Sequence, residues 1–301
     1  MGEVITVLSG KGGVGKTIVS LNLAAALEQI GYDTILVEGN VTSPTASIYL
    51  GYLPVEKTMD KVSDNELEID EIILKHESGV KLMTCSLNVS DLEKNLGIGF
   101  EIVNQLKEKS NIVLIDGAAG LGEETVNAIK MSSYILIVTN PELPAVIEAL
   151  RTVRLARGMN KKIVGIVLNK VNPRKHQMTE EEVELIVEIP IISIIPEDDD
   201  ITDAIAYNSP VVTYKPEAES SIELKRLASK LVGEPFKEPP KKTIIDQIMS
   251  LLPKKVTVPK MSIPGISIKG ISKRIGGKIG ELTHHEKKDK NKEILKPEIK
   301  K

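Results

Sequence analysis

The sequence predicts a single α/β domain, in which helices flank a mostly parallel sheet of seven or eight strands, followed by an irregular basic tail. Three observations predict this class. Short apolar runs alternate with segments of helical periodicity across residues 1–233. The apolar residues are mainly Ile, Val and Leu, and only 3% of all residues are aromatic, which suits a sheet buried on both faces. Beyond residue 233 proline and lysine accumulate, and the alternation stops.

Seven apolar runs have the length and composition of strands. They are residues 3–8, 34–37, 80–85, 112–115, 134–138, 163–168 and 191–195. Segments with helical spacing lie between these runs and after the last one, at 16–30, 100–109, 123–131, 142–157, 180–187 and 220–232. Thr179 and Glu182 match the capping-box pattern at the start of the fifth of these helices. The alternation predicts parallel βαβ units with right-handed crossovers.

The C-terminal part of the chain differs from the body in composition and charge. Residues 234–242 are rich in Pro and Lys and are predicted to be a linker, followed by a basic tail over residues 243–301. Residues 237–301 contain 17 Lys and Arg against 7 Asp and Glu, whereas residues 1–236 contain 22 basic and 35 acidic residues. Eleven of the 16 residues 286–301 are charged, and we expect this segment to be disordered.

Residues 243–252 carry the pattern of an amphipathic helix. Their Ile and Leu side chains recur on one helical face, and lysines flank the segment. A second, weaker helical stripe is formed by Ile271, Ile275, Ile279 and Leu282. Such a helix can bind an anionic membrane surface or dock on the protein's own body, and the sequence leaves both alternatives open.

Composition argues against several function classes. The single cysteine, Cys85, cannot form an internal disulfide or a multi-thiolate metal site within one chain. Its apolar neighbours predict a buried structural thiol. No apolar stretch reaches the ~18 residues of a membrane-spanning helix, so we expect a cytoplasmic protein. The scarcity of aromatic residues disfavours recognition of single-stranded nucleic acid.

A glycine-rich loop follows the first predicted strand and leads directly into the first helix. It reads Gly10-Lys11-Gly12-Gly13-Val14-Gly15-Lys16-Thr17 and matches the phosphate-binding pattern G-x-x-x-x-G-K-[ST]. Glycines let successive N–H groups surround phosphate oxygens, and the dipole of the following helix favours the same anion. We expect Lys16 to reach the β- and γ-phosphates of ATP or ADP and the Thr17 hydroxyl to ligate Mg²⁺. Ile18 completes the predicted nucleotide-binding segment.

Lysine at the second position of this loop is informative. With Lys11 the loop resembles the deviant Walker A motif of the MinD/ParA superfamily of P-loop ATPases, and the chain looks most similar to its MinD-like members. The resemblance implies ATP hydrolysis and a homodimer that sandwiches two ATP molecules. It also implies that Lys11 reaches across the dimer to the partner's ATP.

Three further segments extend the resemblance. Asp116, followed by Gly-Ala-Ala-Gly, looks like the family's Walker B and switch II region, which implies that Asp116 holds Mg²⁺ through water. Asn169 lies in a segment similar to the one whose Asn recognises adenine. Pro196 and Glu197 lie in a segment resembling the loop that flanks the base. The predicted catalytic residues are Lys11, Lys16, Asn40 and Asp116.

Position 40 departs from the family pattern. The usual Asp-x-Asp after the second strand appears as Glu38-Gly39-Asn40. Asn40 can hydrogen-bond to water, but it cannot act as a carboxylate base. Glu38 keeps a carboxylate and is a candidate metal ligand. We therefore predict slow hydrolysis and a long-lived nucleotide state.

The resemblance implies a MinD-like switch in spatial regulation or cell division. Its tail, residues 243–282, would attach the protein peripherally to the inner face of the membrane. Two alternatives stay open: a ParA-like ATPase that partitions DNA, and a maturation or adaptor ATPase that docks a protein client or regulator. The acidic body makes DNA the less favoured partner. A lone cysteine disfavours a cluster-bridging role.

Overall fold

One sheet of eight strands runs through the described part of the chain, which is residues 1–53, 55–86, 92–173 and 176–238 of the computed structural model. The strands are β1 Glu3–Ser9, β2 Thr34–Glu38, β3 Leu74–Lys75, β4 Lys81–Met83, β5 Ile112–Ala119, β6 Tyr134–Thr139, β7 Lys162–Val171 and β8 Ile191–Pro196. Their order is β3-β4-β2-β5-β1-β6-β7-β8. Every pairing is parallel except that of β3 with β4. The predicted fold class is confirmed.

Helices cover both faces of this sheet. Within the described ranges they are α1 Lys16–Gln29, α2 Ala46–Tyr49, α3 Met59–Ser63, α4 Leu92–Lys109, α5 Glu123–Met131, α6 Leu143–Gly158, α7 Glu180–Val187, α8 Asp199–Ala206, α9 Val211–Tyr214 and α10 Glu219–Val232. The predicted capping box opens α7: Glu182 N donates to the Thr179 hydroxyl, and Thr179 N donates to the Glu182 carboxylate.

Alternation along β1 shows how the two faces are filled. Ile5 and Val7 join the apolar cluster that includes α1 and α10 side chains. Val4 and Leu8 point to the opposite face, where they join clusters formed with α4, α5, α6 and α7. Both faces of the strand are covered, so six of the seven β1 residues are buried, and apolar residues occur on both faces rather than on one. Cys85 is buried in the second face, as predicted.

The parallel strands bring the predicted site residues to one edge of the sheet. The glycine-rich loop follows β1, Glu38 ends β2, and Asp116 lies in β5 between them. Asn169 lies near the end of β7, and Pro196 ends β8. In open α/β sheets, ligands bind outside the carboxyl ends of the strands, so a ligand-binding site is expected at this edge.

Several elements differ from the sequence-based expectation. β5 continues past the predicted end at residue 115, because Ala119 pairs with Ser9 and Gly120 N donates to Ser9 O. The predicted helix 100–109 is the second half of α4, whose first half contains Gly97 and Gly99, and glycine is a poor helix former. The short elements β3, α2, α3 and α9 carry too few residues for a periodic signal and were not predicted. α8, which is as long as α7, was not predicted either.

The tail predictions fall almost wholly outside the described residues. Residues 234–238 have no regular secondary structure, and the rest of the linker, the helix 243–252 and the segment 286–301 are not described. Among the residues that are, no helix combines the length and apolar content needed to cross a bilayer.

Candidate phosphate-binding site

The glycine-rich loop is held between β7 and α6. Gly13 and Gly15 have φ values of 80° and 91°, in the left-handed region that favours glycine. A Cβ on Gly15 would lie 2.3 Å from Asn169 Nδ2, and a Cβ on Gly10 would lie 2.2 Å from the Glu148 carbonyl. The loop therefore needs glycine at position 15 for its backbone conformation and at both positions for close packing.

Two side chains at the end of β7 fix the loop by its carbonyl groups. Asn169 Nδ2 donates to Val14 O at 2.8 Å, and Lys170 Nζ donates to Gly13 O at 2.8 Å. These bonds consume loop carbonyls and leave the peptide N–H groups as the anion-binding atoms. Asn169 thus holds the loop from the β7 side. Its predicted contact with adenine stays a prediction.

The carboxylate of Asp116 lies at the centre of the site. Within the described part of the chain, three α1 side chains donate to it. Lys16 Nζ and Ser20 Oγ lie 2.8 and 2.9 Å from Oδ1, and Thr17 Oγ1 lies 2.7 Å from Oδ2. Lys16 and Asp116 are 7% and 1% exposed. Because a buried charge is costly without a partner, each of these two residues depends on the other.

Ser20 was not among the predicted site residues. It lies one helical turn after Lys16, whose carbonyl oxygen lies 3.0 Å from the Ser20 hydroxyl and is an alternative acceptor for its single proton. Its position four residues after Lys16, on the same face of the helix, was the available signal for a site residue. Serine at such a position usually donates to the backbone carbonyl four residues earlier, so the signal is weak. Only the position of β5 beside α1 gives it a second partner.

The residues present suit a magnesium-bound phosphate. Mg²⁺ prefers oxygen ligands, usually one or two from the protein with water and phosphate oxygens completing the shell. The Thr17 hydroxyl and the Asp116 carboxylate supply such oxygens side by side, at the first turn of the helix that follows the loop. Lys16 lies beside them and offers a positive charge to phosphate. Ile18 lies half-buried in the same helical turn.

Glu38 lies next to Asp116 in the sheet register but bonds elsewhere. Its fully buried carboxylate accepts from Ala46 N at 2.5 Å and from the Thr84 hydroxyl. Burial raises the pKa of Glu38 to about 7, although both hydrogen bonds act in the opposite direction. Direct metal binding would require Glu38 to give up these partners, and its metal role stays a prediction.

Lys11 and Asn40 lie at the exposed rim of the site. Lys11 Nζ is 3.6 Å from Glu142 Oε2, and these side chains are 46% and 52% exposed. Asn40 Nδ2 donates to Ser43 O at 3.0 Å, and its Oδ1 lies 3.3 Å from the Thr42 hydroxyl. Lys11 is therefore accessible to a bound molecule or to a second chain, whereas Asn40 is half-buried.

Pro196 and Glu197 border an open cleft at the end of β8. Asn172 Nδ2 donates to Glu197 Oε2 at 2.8 Å across it. Other lining residues include Val171, Pro173, Asp198, Asp199, Asp200 and Glu219. Asp198 belongs to the segment that resembles the loop flanking the base, whereas Asp199 and Asp200 were not predicted as part of this region. All three acidic residues line the cleft.

A model of the CobQ/CobB/MinD/ParA nucleotide binding domain matches residues 5–211. The chain belongs to this family. It is 28% identical to an uncharacterised ATP-binding protein of Methanocaldococcus jannaschii over 234 residues, which are 77% of this chain and 89% of that protein.

Two solved structures of MinD proteins resemble the fold. The septum site-determining protein MinD of Pyrococcus horikoshii, complexed with Mg-ADP, has a TM-score of 0.71 and 27% identity, covering 76% of this chain and 95% of that one. The cell division ATPase MinD of Pyrococcus furiosus has a TM-score of 0.71 and 30% identity, covering 76% and 98%. The predicted resemblance to the MinD/ParA family is confirmed.

We expect Glu38→Gln to remove a pH dependence of stability. The folded chain holds a proton on Glu38 up to a pKa of about 7, whereas the ordinary value is 4.5. The stabilisation that Glu38 contributes is therefore fully present below about pH 4.5 and is lost as pH rises to about 7. The loss lowers the free energy of unfolding by about 3 kcal/mol. Gln keeps an acceptor for Ala46 N–H and can donate to Thr84.

Urea unfolding of the nucleotide-free, magnesium-free protein at several values between pH 4.5 and pH 7.5 measures this effect. The wild type should lose stability relative to Glu38→Gln across that interval. Parallel pH profiles for the two proteins would show that Glu38 titrates normally.

Proposed function

We propose that this chain binds ATP with Mg²⁺ at residues 10–18 and Asp116 and hydrolyses it slowly, as a switch between an ATP-bound homodimer and an ADP-bound monomer. The Lys16–Asp116 pair is the single observation that carries the proposal. Its lysine and the Thr17 hydroxyl both lie within hydrogen-bond distance of its carboxylate. Phosphate can bind the Lys16 ammonium while magnesium binds the oxygens of Thr17 and Asp116. The buried charges of Lys16 and Asp116 then keep partners of opposite charge.

Slow hydrolysis is supported by the residue at position 40. A carboxylate there would accept strong hydrogen bonds from an attacking water and add negative charge near Mg²⁺. Asn40 offers one neutral acceptor oxygen, and its amide nitrogen is directed to Ser43 O. Slow turnover suits a switch, because the ATP-bound state then lasts long enough to act.

The dimer proposal is supported by the surface around Lys11. The Lys11–Glu142 pair is 3.6 Å long and about half exposed, so breaking it costs little. Exposed apolar side chains include Leu121, in the loop after β5, and Leu143 and Ile147, in the first turns of α6, which follows Glu142. Exposed apolar side chains on the segments that leave this edge of the sheet, together with an accessible lysine, suit contact with a second copy that carries phosphate.

Sizing the full-length protein with Mg-ATP and with Mg-ADP tests the switch. The wild type should elute as a dimer with ATP and as a monomer with ADP, whereas Lys11→Ala should stay monomeric with both. Lys109→Ala is a matched control, because Lys109 pairs with Asp70 on the surface and ends α4 at the opposite edge of the sheet. Identical elution of the wild type with both nucleotides would defeat the switch.

We extend the proposal to the tail, whose residues 237–301 carry 17 basic and 7 acidic residues. Each lysine near an anionic membrane adds about 1 kcal/mol of attraction, and pairing two tails in a dimer raises avidity steeply. Co-sedimentation with phosphatidylglycerol vesicles should be strong with ATP and weak with ADP. Ile248→Glu on the apolar face should abolish it, and Ser250→Glu on the polar face should weaken it only slightly.

Other results would contradict the membrane switch or favour the alternative functions. Equal sedimentation in every nucleotide state, or none, contradicts membrane switching. Duplex DNA binding that requires ATP and falls steeply with salt would favour a partitioning ATPase. Capture of a protein client that depends on residues 237–301 would favour a maturation or adaptor role.

A further inference from the structure

A hydrogen-bonded network joins the loop that carries Asn40 to helix α5. Thr42 N donates to Glu124 Oε1 at 3.0 Å. The Thr42 hydroxyl lies between two acceptors, 3.3 Å from Asn40 Oδ1 and 3.4 Å from Glu124 Oε2. Glu124 lies in the first turn of α5, just after the Gly-rich segment that follows Asp116. The network therefore connects the segments on the two sides of the site.

The Thr42 hydroxyl has one proton and can satisfy only one of these acceptors. A bond to a carboxylate is roughly twice as strong as a bond to a neutral amide oxygen. Glu124 therefore takes the proton in preference to Asn40. The oxygens of Asn40 and Thr42 are then 3.3 Å apart with no proton between them, and a water molecule can donate to both.

Asn40 depends on this arrangement more than an aspartate would. Its amide nitrogen cannot accept, and it already donates to Ser43 O at 3.0 Å, so Oδ1 is the one atom of this side chain that can receive a water proton. An Asp at this position would have a second oxygen, and occupation of one by Thr42 would leave the other free.

We propose that Glu124 is a positioning residue for ATP hydrolysis. It accepts a hydrogen bond from the Thr42 hydroxyl, and Asn40 Oδ1 is then free to orient the attacking water. The inference rests on the proposed ATPase function. In the reaction, the water oxygen bonds to the γ-phosphorus, the bond from that phosphorus to the ADP oxygen breaks, and the water proton leaves with phosphate. Asn40 accepts a hydrogen bond from the water and takes no proton.

A first experiment tests the network without nucleotide. Exchange of the Thr42 backbone amide with solvent should become at least about tenfold faster in Glu124→Ala, because its N–H loses a charged acceptor. Glu123→Ala removes the same charge from the neighbouring residue and should leave that exchange unchanged. Equal exchange in the wild type and Glu124→Ala would overturn the network.

A second experiment tests the role, by single-turnover hydrolysis in four proteins: wild type, Glu124→Gln, Asn40→Asp and the double variant. We expect Glu124→Gln to slow the step about tenfold in the wild-type background and less than about twofold with Asp at position 40. ATP affinity should not change in either background. Equal slowing in both backgrounds, or none in the wild type, would overturn the positioning role.

The two experiments separate this inference from the proposed function. A chain that binds ATP but never hydrolyses it, with or without Asp at position 40, fails as an ATPase, and the positioning role fails with it. Hydrolysis by the wild type that is insensitive to Glu124 leaves the ATPase function intact and defeats only the positioning role.

Discussion

The buried carboxylate of Asp116 is the interaction on which the site depends. It lies in β5, the strand between β1 and β2, and so faces the helix that follows the glycine-rich loop. Lys16, Thr17 and Ser20 from the first turns of that helix all donate to it. The charge of Lys16 can be buried because Asp116 is there to receive it. The loop, the helix and the central strand are thereby held as one unit.

On the proposed function, nucleotide binding would be an exchange of partners. Phosphate oxygens would compete with Asp116 for Lys16, and magnesium would compete with the Thr17 hydroxyl proton for the Asp116 oxygens. The buried charges of Lys16 and Asp116 would then have partners in both states. Asn169 and Lys170 hold the loop carbonyls from the β7 side, which keeps the loop in shape during the exchange.

The sequence predicted the parts of the site that depend on local spacing. The loop 10–17 and its following helix were predicted because a fixed pattern of residues is needed to surround phosphate. Asp116 was predicted from the resemblance of its segment to the family's Walker B region. Three other features depend on partners 46 or more residues away: the bond of Glu38 with Thr84, the second partner of Ser20, and the bond from Thr42 to Glu124. No local pattern encodes such contacts.

The same reasoning accounts for the fold. The six-residue β6 and the nine-residue α5 were predicted within one residue, because each shows its pattern of apolar residues over its whole length. The extension of β5 to Ala119 depends on Ser9 of β1 as a pairing partner, and the two-residue β3 depends on β4. Such short or extended pieces are defined by their neighbours rather than by their own residues.

Calorimetric titration of ATP with and without Mg²⁺, into the wild type and Asp116→Asn, tests the central role of Asp116 most directly. The account predicts that Mg²⁺ strengthens ATP binding to the wild type by at least about tenfold and that Asp116→Asn loses this gain, because an amide cannot replace the carboxylate near the metal. An equal gain in the two proteins, or no gain in the wild type, would contradict it.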